Sequence, residues 1–137
     1  MSSIWVSDVQ TTIYSRAKAM LLASLKSKYP DLFVTDDDEV TSDPKFPAVY
    51  IHFLQPAERG QDIEGKEINA IYLTVEVDVT ATKAQGKAVA REVAYKVMDI
   101  FKGMYFTATM PSFQNDGSGT KRMIARYARV IGYNDTI

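Results

Sequence analysis

The side chains of this 137-residue chain that could do chemistry are almost all carboxylates and cations, since it has no cysteine and a single histidine, His52. Thiolate catalysis, disulfides and cysteine-ligated zinc are thereby excluded. A serine or threonine nucleophile would have only His52 as its base, and no supporting arrangement surrounds it. His52 reads instead as a strand residue on the polar face of a sheet. Asp36, Asp37, Asp38 and Glu39 run together, and Asn115, Asp116 and Ser118 form a second oxygen-rich stretch. Neither has the spacing of a calcium loop, which closes on a distal bidentate glutamate. They read as a solvated acidic loop and an ordinary turn, and no metal or cofactor is expected.

Three other constellations carry a chemical suggestion. Gly117, Ser118, Gly119, Thr120 and Lys121 hold the residue types of a phosphate loop, but Arg122 stands where the hydroxyl residue should follow the lysine, and the context is strand to strand. Pro30–Asp31 with Glu64, Gly65 and Lys66 supplies the parts of a short nuclease signature, two carboxylates for magnesium and a lysine to help activate water. Such a site must hold its geometry on a firm strand. Here its glutamate and lysine fall in a glycine-flanked polar loop, so no enzymatic activity is expected. Lys121, Arg122, Arg126 and Arg129 interleave with Tyr127 as nucleic-acid contacts would. Yet 16 basic and 17 acidic residues give a net charge of −1, without the basic surface that phosphate backbones require. Pairing of Arg122 or Arg126 with Glu76 or Asp78 across strands is the preferred reading, each pair contributing roughly 0.2–1 kcal/mol.

The elements that position these groups follow from periodicity. Ile71, Leu73, Val75, Val77 and Val79 alternate with Tyr72, Thr74, Glu76 and Asp78, which predicts a strand covered on one side. Thr82 and Gln85 form a capping box. Val89, Val93, Val97, Ile100 and Phe101, with Ala90 and Ala94, then recur at helical spacing as far as Gly103, a natural left-handed cap. An earlier helix is predicted from about Asp8 to Lys28. Ser7 and Gln10 cap it, Val9, Ile13, Ala17, Met20, Leu21 and Leu25 form its stripe, and Pro30 ends it. A short strand at 32–34, a strand at 46–54, an irregular polar loop at 56–68, a strand at 105–110 and a final strand at 121–131 complete the chain. That last strand places Arg122 and Arg126 with Ile124, Ala128 and Val130, and puts Met123, Tyr127, Arg129 and Ile131 on its other face. Apolar in part on both faces, it is either central in the sheet or covered by a neighbouring subunit.

The expectation is one α+β domain over residues 1–137, since a domain takes about 100–200 residues. It has a single layer of antiparallel or mixed sheet with two helices packed on one face, in the order α-β-β-α-β-β. No internal repeat is evident beyond a shared helix-then-hairpin outline. No apolar run approaches the ~18 residues of a membrane span, and no signal peptide is expected.

Several landmarks, taken as a set, resemble the tail-terminator group of small tail-completion proteins from tailed phages and prophages of Gram-positive bacteria. They are Lys28-Tyr29-Pro30 with Phe33-Val34, then Lys45-Phe46-Pro47-Ala48-Val49-Tyr50, then Val77-Asp78-Val79-Thr80 with Gly86-Lys87, and finally Arg122-Met123-Ile124-Ala125-Arg126-Tyr127. The resemblance spans about Ile13 to Ile131. It implies a non-enzymatic virion protein, assembled in the host cytoplasm. Its homo-hexameric ring caps the head-proximal end of the tail tube, stops tube growth and docks to head-completion or connector proteins. In contractile or bacteriocin-like particles such a ring also meets the sheath, and DNA only passes through the lumen. On that reading Glu76, Asp78, Arg122, Arg126 and Tyr127 are candidates for the subunit interface. Glu58, Arg59, Asp62, Glu64 and Lys66 are candidates for a loop that contacts the tube or a partner. The alternatives are a head-completion or connector adaptor of the neck and, in another class, a small ligand-binding α+β module.

Overall fold

Period-two alternation governs the centre of the molecule. In a computed structural model, which describes residues 3–37, 45–61, 68–114 and 119–137, the alternating stretch is a 14-residue strand, β4 (Ile68–Ala81). Preceding it are α1 (Ile4–Leu25), β1 (Phe33–Thr35), β2 (Ala48–Phe53) and β3 (Ala57–Gln61). After it come α2 (Gly86–Gly103), β5 (Thr107–Ala108), β6 (Ser112–Gln114) and β7 (Lys121–Gly132). The architecture is α+β, with two helices and a mixed seven-stranded sheet ordered β1-β2-β4-β7-β5; β3 also pairs with β4, and β6 with β7. Only the β1–β2 pair is parallel. This element order replaces the expected α-β-β-α-β-β. The final strand is central, held between β4 and β5/β6.

Odd-numbered residues make the core. Val49 and Ile51 of β2, Leu73, Val75, Val77 and Val79 of β4, and Met123, Ala125, Tyr127 and Ile131 of β7 are buried, and the buried residues of α1 and α2 belong to the same cluster. No helix among the described residues is long and apolar enough to cross a membrane.

Four local expectations are corrected. The first helix begins a turn early, at Ile4, so Ser7 lies inside it and caps nothing; Ser3 stands at its N-terminus without a side-chain cap. Trp5 is the reason, being buried with its indole N–H donating to the Ile68 carbonyl at 3.2 Å. Met20, counted in the apolar stripe, is 41% exposed. The left-handed residue after α2 is Tyr105 (φ 66°), two places beyond Gly103, which stays helical. Most of all, the start of the presumed irregular loop is a strand: Ala57 faces Tyr72, and Gln61 faces Ile68. An edge strand can be stabilised by backbone pairing alone, and therefore need show no apolar alternation. The Thr82–Gln85 box forms as expected, with reciprocal amide bonds of 3.1 Å.

The two halves repeat one plan. β2 and β3 lie end to end along one edge of β4, and β5 and β6 do the same along β7. Each edge breaks at a proline, Pro56 or Pro111. From Phe53↔Val75 to Ala57↔Tyr72, four steps on the edge oppose three on the long strand; Ala108↔Tyr127 to Ser112↔Ile124 repeats this. These are matching bulges, each adding one residue and bending the edge. The same amide bond precedes each proline, from Leu54 N–H to the Thr74 carbonyl (2.9 Å) and from Thr109 N–H to the Arg126 carbonyl (3.1 Å). Matching the breaks equates Val75 with Tyr127, which face each other across β4 and β7, so a local twofold axis passes between them.

Candidate functional site

Even-numbered residues form the second face of the sheet. The register sets His52, Glu76 and Arg126 in one row across β2, β4 and β7. His52 Nε2 lies 3.0 Å from Glu76 Oε1, and Arg126 Nε donates to Glu76 Oε2 at 2.9 Å. The His52 ring stacks on Tyr50, with centroids 4.7 Å apart. Partial burial works to raise the Glu76 pKa, but the hydrogen bonds and positive charge of His52 and Arg126 outweigh it and hold the group below the ordinary carboxylate value. One row on, Arg122 reaches diagonally to Asp78, its Nε 2.8 Å from Oδ2 and 2.9 Å from Oδ1. That fork suits a guanidinium meeting a carboxylate. Both cross-strand pairs lie within one chain.

The other candidate residues divide. Tyr127 lies on the opposite face, 1% exposed and stacked at 4.8 Å on Phe101. Burial, then the charge of Asp99, raises its pKa. A partner could touch it only by opening the core, so it leaves the interface set. The parity of β7 already grouped it with Met123 and Ile131. Arg129 shares that face and donates to the Met104 carbonyl at 3.0 Å. Glu58 and Arg59 are exposed on β3, with the Arg59 guanidinium 5.3 Å from the Tyr72 ring centre. Asp62, Glu64 and Lys66 lie outside the described residues, as do Asp38, Glu39, Asn115, Asp116 and Ser118. Asp31 is exposed after α1. Among the described residues no group of three or more histidines and carboxylates is placed to hold a metal ion.

Sequence reasoning missed two features of this face. Tyr72 and Val130 are directly opposed on β4 and β7, and are 38% and 53% exposed. Beside them is a depression of about 260 Å³ lined by Tyr72, Thr74, Thr107, Thr109, Arg126 and Ala128. Thr107 and Thr109 Oγ1 donate to the Ala128 and Arg126 carbonyls, each at 3.1 Å. The alternation marked Tyr72 and Val130 as polar-face residues, but nothing local showed that β5 would border them. Comparison of the chain with models of known families and with curated proteins finds no match in either.

Proposed function

We propose that this chain is a tail terminator, a non-enzymatic subunit whose hexameric ring caps the head-proximal end of a phage tail tube. The ring stops tube growth and presents a surface to head-completion proteins, with DNA passing through its lumen. In this reading both helices cover the apolar face of the sheet, and the second face is left for other subunits. The observation that carries it is the exposed Tyr72–Val130 pair on that face, beside the row of His52, Glu76 and Arg126. Exposed apolar surface rimmed by charge is the composition of an association surface. A closed ring needs two different complementary patches on each subunit. The resemblance over Ile13 to Ile131 supports the same reading.

The test is tube growth. Tail-tube protein of the same particle is polymerised with and without the purified chain, and the products are viewed by electron microscopy. The proposal expects shortened tubes with one end closed by a sixfold ring. Tubes of unaltered length with bare ends would overturn it.

A further inference from the structure

The two halves of the repeat end in unlike edges. In the first half β1 pairs along β2 and covers it, and the outer side of β1 is itself occupied. Phe33 N–H donates inward to the Pro47 carbonyl at 3.0 Å, so the main-chain groups of Val34 point away from β2. The Tyr14 hydroxyl donates to the Val34 carbonyl at 3.5 Å. Further along, β3 exposes Glu58 and Arg59, charges of the kind that keep a strand edge from accepting another chain. In the second half no strand among the described residues lies outside β5 and β6, which pair only with β7. Thr109 N–H donates inward to the Arg126 carbonyl at 3.1 Å, so the N–H and C=O groups of Ala108 and Met110 face outward. Residues 107–110 and 112–114 are exposed, Met110 by 64%, and nothing from Gly103 to Gln114 is charged.

We infer that the β5–β6 edge accepts an extended strand of the tail-tube protein, main chain to main chain. The inference rests on the tail-terminator reading and names the bonding surface for the tube. Other copies of the chain do not supply the strand. An edge that pairs with itself relates two copies by a twofold axis, and neighbours in a cyclic ring of six are not so related. The β1 edge of a neighbour is taken by Tyr14, and its β3 edge would set Glu58 and Arg59 against an uncharged edge. The tube is the partner whose growth the ring stops. The edge also describes the chemistry of the incoming segment. Its centre is neutral, with apolar and hydroxyl side chains, to lie beside Met110 and Thr107. Its end is acidic where Lys87, 5.2 Å from the Phe113 ring centre, makes no ion pair among the described residues. Main-chain bonds supply affinity in such an addition, and alternate side chains supply selection.

Wild type and two variants test it on tail tubes of the same particle. Ala108→Pro removes an outward N–H and no bond to β7, and proline is tolerated on an edge strand. Met110→Lys places a charge on the edge. Both are expected to cap tubes at least tenfold less well while circular dichroism and Tm stay close to wild type. Amide exchange at Ala108 and Met110 is expected to be fast in the free chain and to slow at least tenfold on capped tubes. A photocrosslinking side chain at position 110 is expected to join the chain to tube protein. Capping by both variants at the wild-type level, or unchanged exchange on capped tubes, overturns the strand addition and leaves the terminator reading intact. A crosslink between two copies of the chain overturns the assignment to the tube. A wild type that caps no tube removes the terminator reading, and this inference with it.

Discussion

Glu76 bridges two partners on the polar face, with a side chain 18% exposed and its two oxygens taken by His52 and Arg126. Its pKa is depressed in the folded state. The stability it confers is therefore complete above the unfolded carboxylate range and is lost as pH falls through the lower folded value. Glu76→Gln should unfold more easily in urea by about 0.5–1 kcal/mol near pH 6. The gap should close as pH drops below roughly 4, whereas a gap constant over that window would show that the charge is not what the row stabilises. Tyr105 gives the opposite sign. It holds a left-handed backbone (φ 66°) while 80% exposed, with the Arg129 guanidinium 5.8 Å from its ring centre. Glycine adopts that conformation without the Cβ clash, so Tyr105→Gly should raise stability by about 0.5–1 kcal/mol in the same assay.

At the level of elements, the start of α1 separates local signal from tertiary demand. Ser7 and Gln10 have the right types and spacing for a cap, yet the helix runs through them, because Trp5 buries itself and ties the first turn to β4. Trp5→Ala is accordingly expected to cost about 3–5 kcal/mol, while Ser7→Ala stays within about 0.5 kcal/mol. A helix that started at Asp8 would give the reverse ranking in thermal melts. The β3–β4 pair belongs to this scale as well. Since Ala57–Gln61 is laddered onto β4, the region free to be replaced is 62–67 rather than all of 56–68. Exchanging 62–67 for Asn-Gly, a pair favoured in two-residue hairpin turns, should leave Tm nearly unchanged and abolish tube capping. Capping that survives would remove Asp62, Glu64 and Lys66 from the partner contact.

The molecule as a whole is an internal repeat with two unlike polar faces. Two similar halves meet at Val75 and Tyr127, but one half fills its polar face with His52 and Glu76 while the other leaves a depression beside Thr107 and Ala128. The chain's own pattern already determined much of this. Alternation in β4 specified which of its residues are buried, the helical stripe of α2 was legible from Val89 to Phe101, and pairing of Arg122 or Arg126 with Glu76 or Asp78 could be expected before any fold was known. These are local regularities, set by a side-chain period of two or 3.6. What only tertiary structure decided is where separate segments meet. The repeat lies in bulges and hydrogen bonds rather than in matching residues, the β3 strand is stabilised by its partner's backbone, and the depression exists because β5 comes to lie beside Ala128. Such features depend on neighbours distant in sequence, and no run of residues encodes them alone.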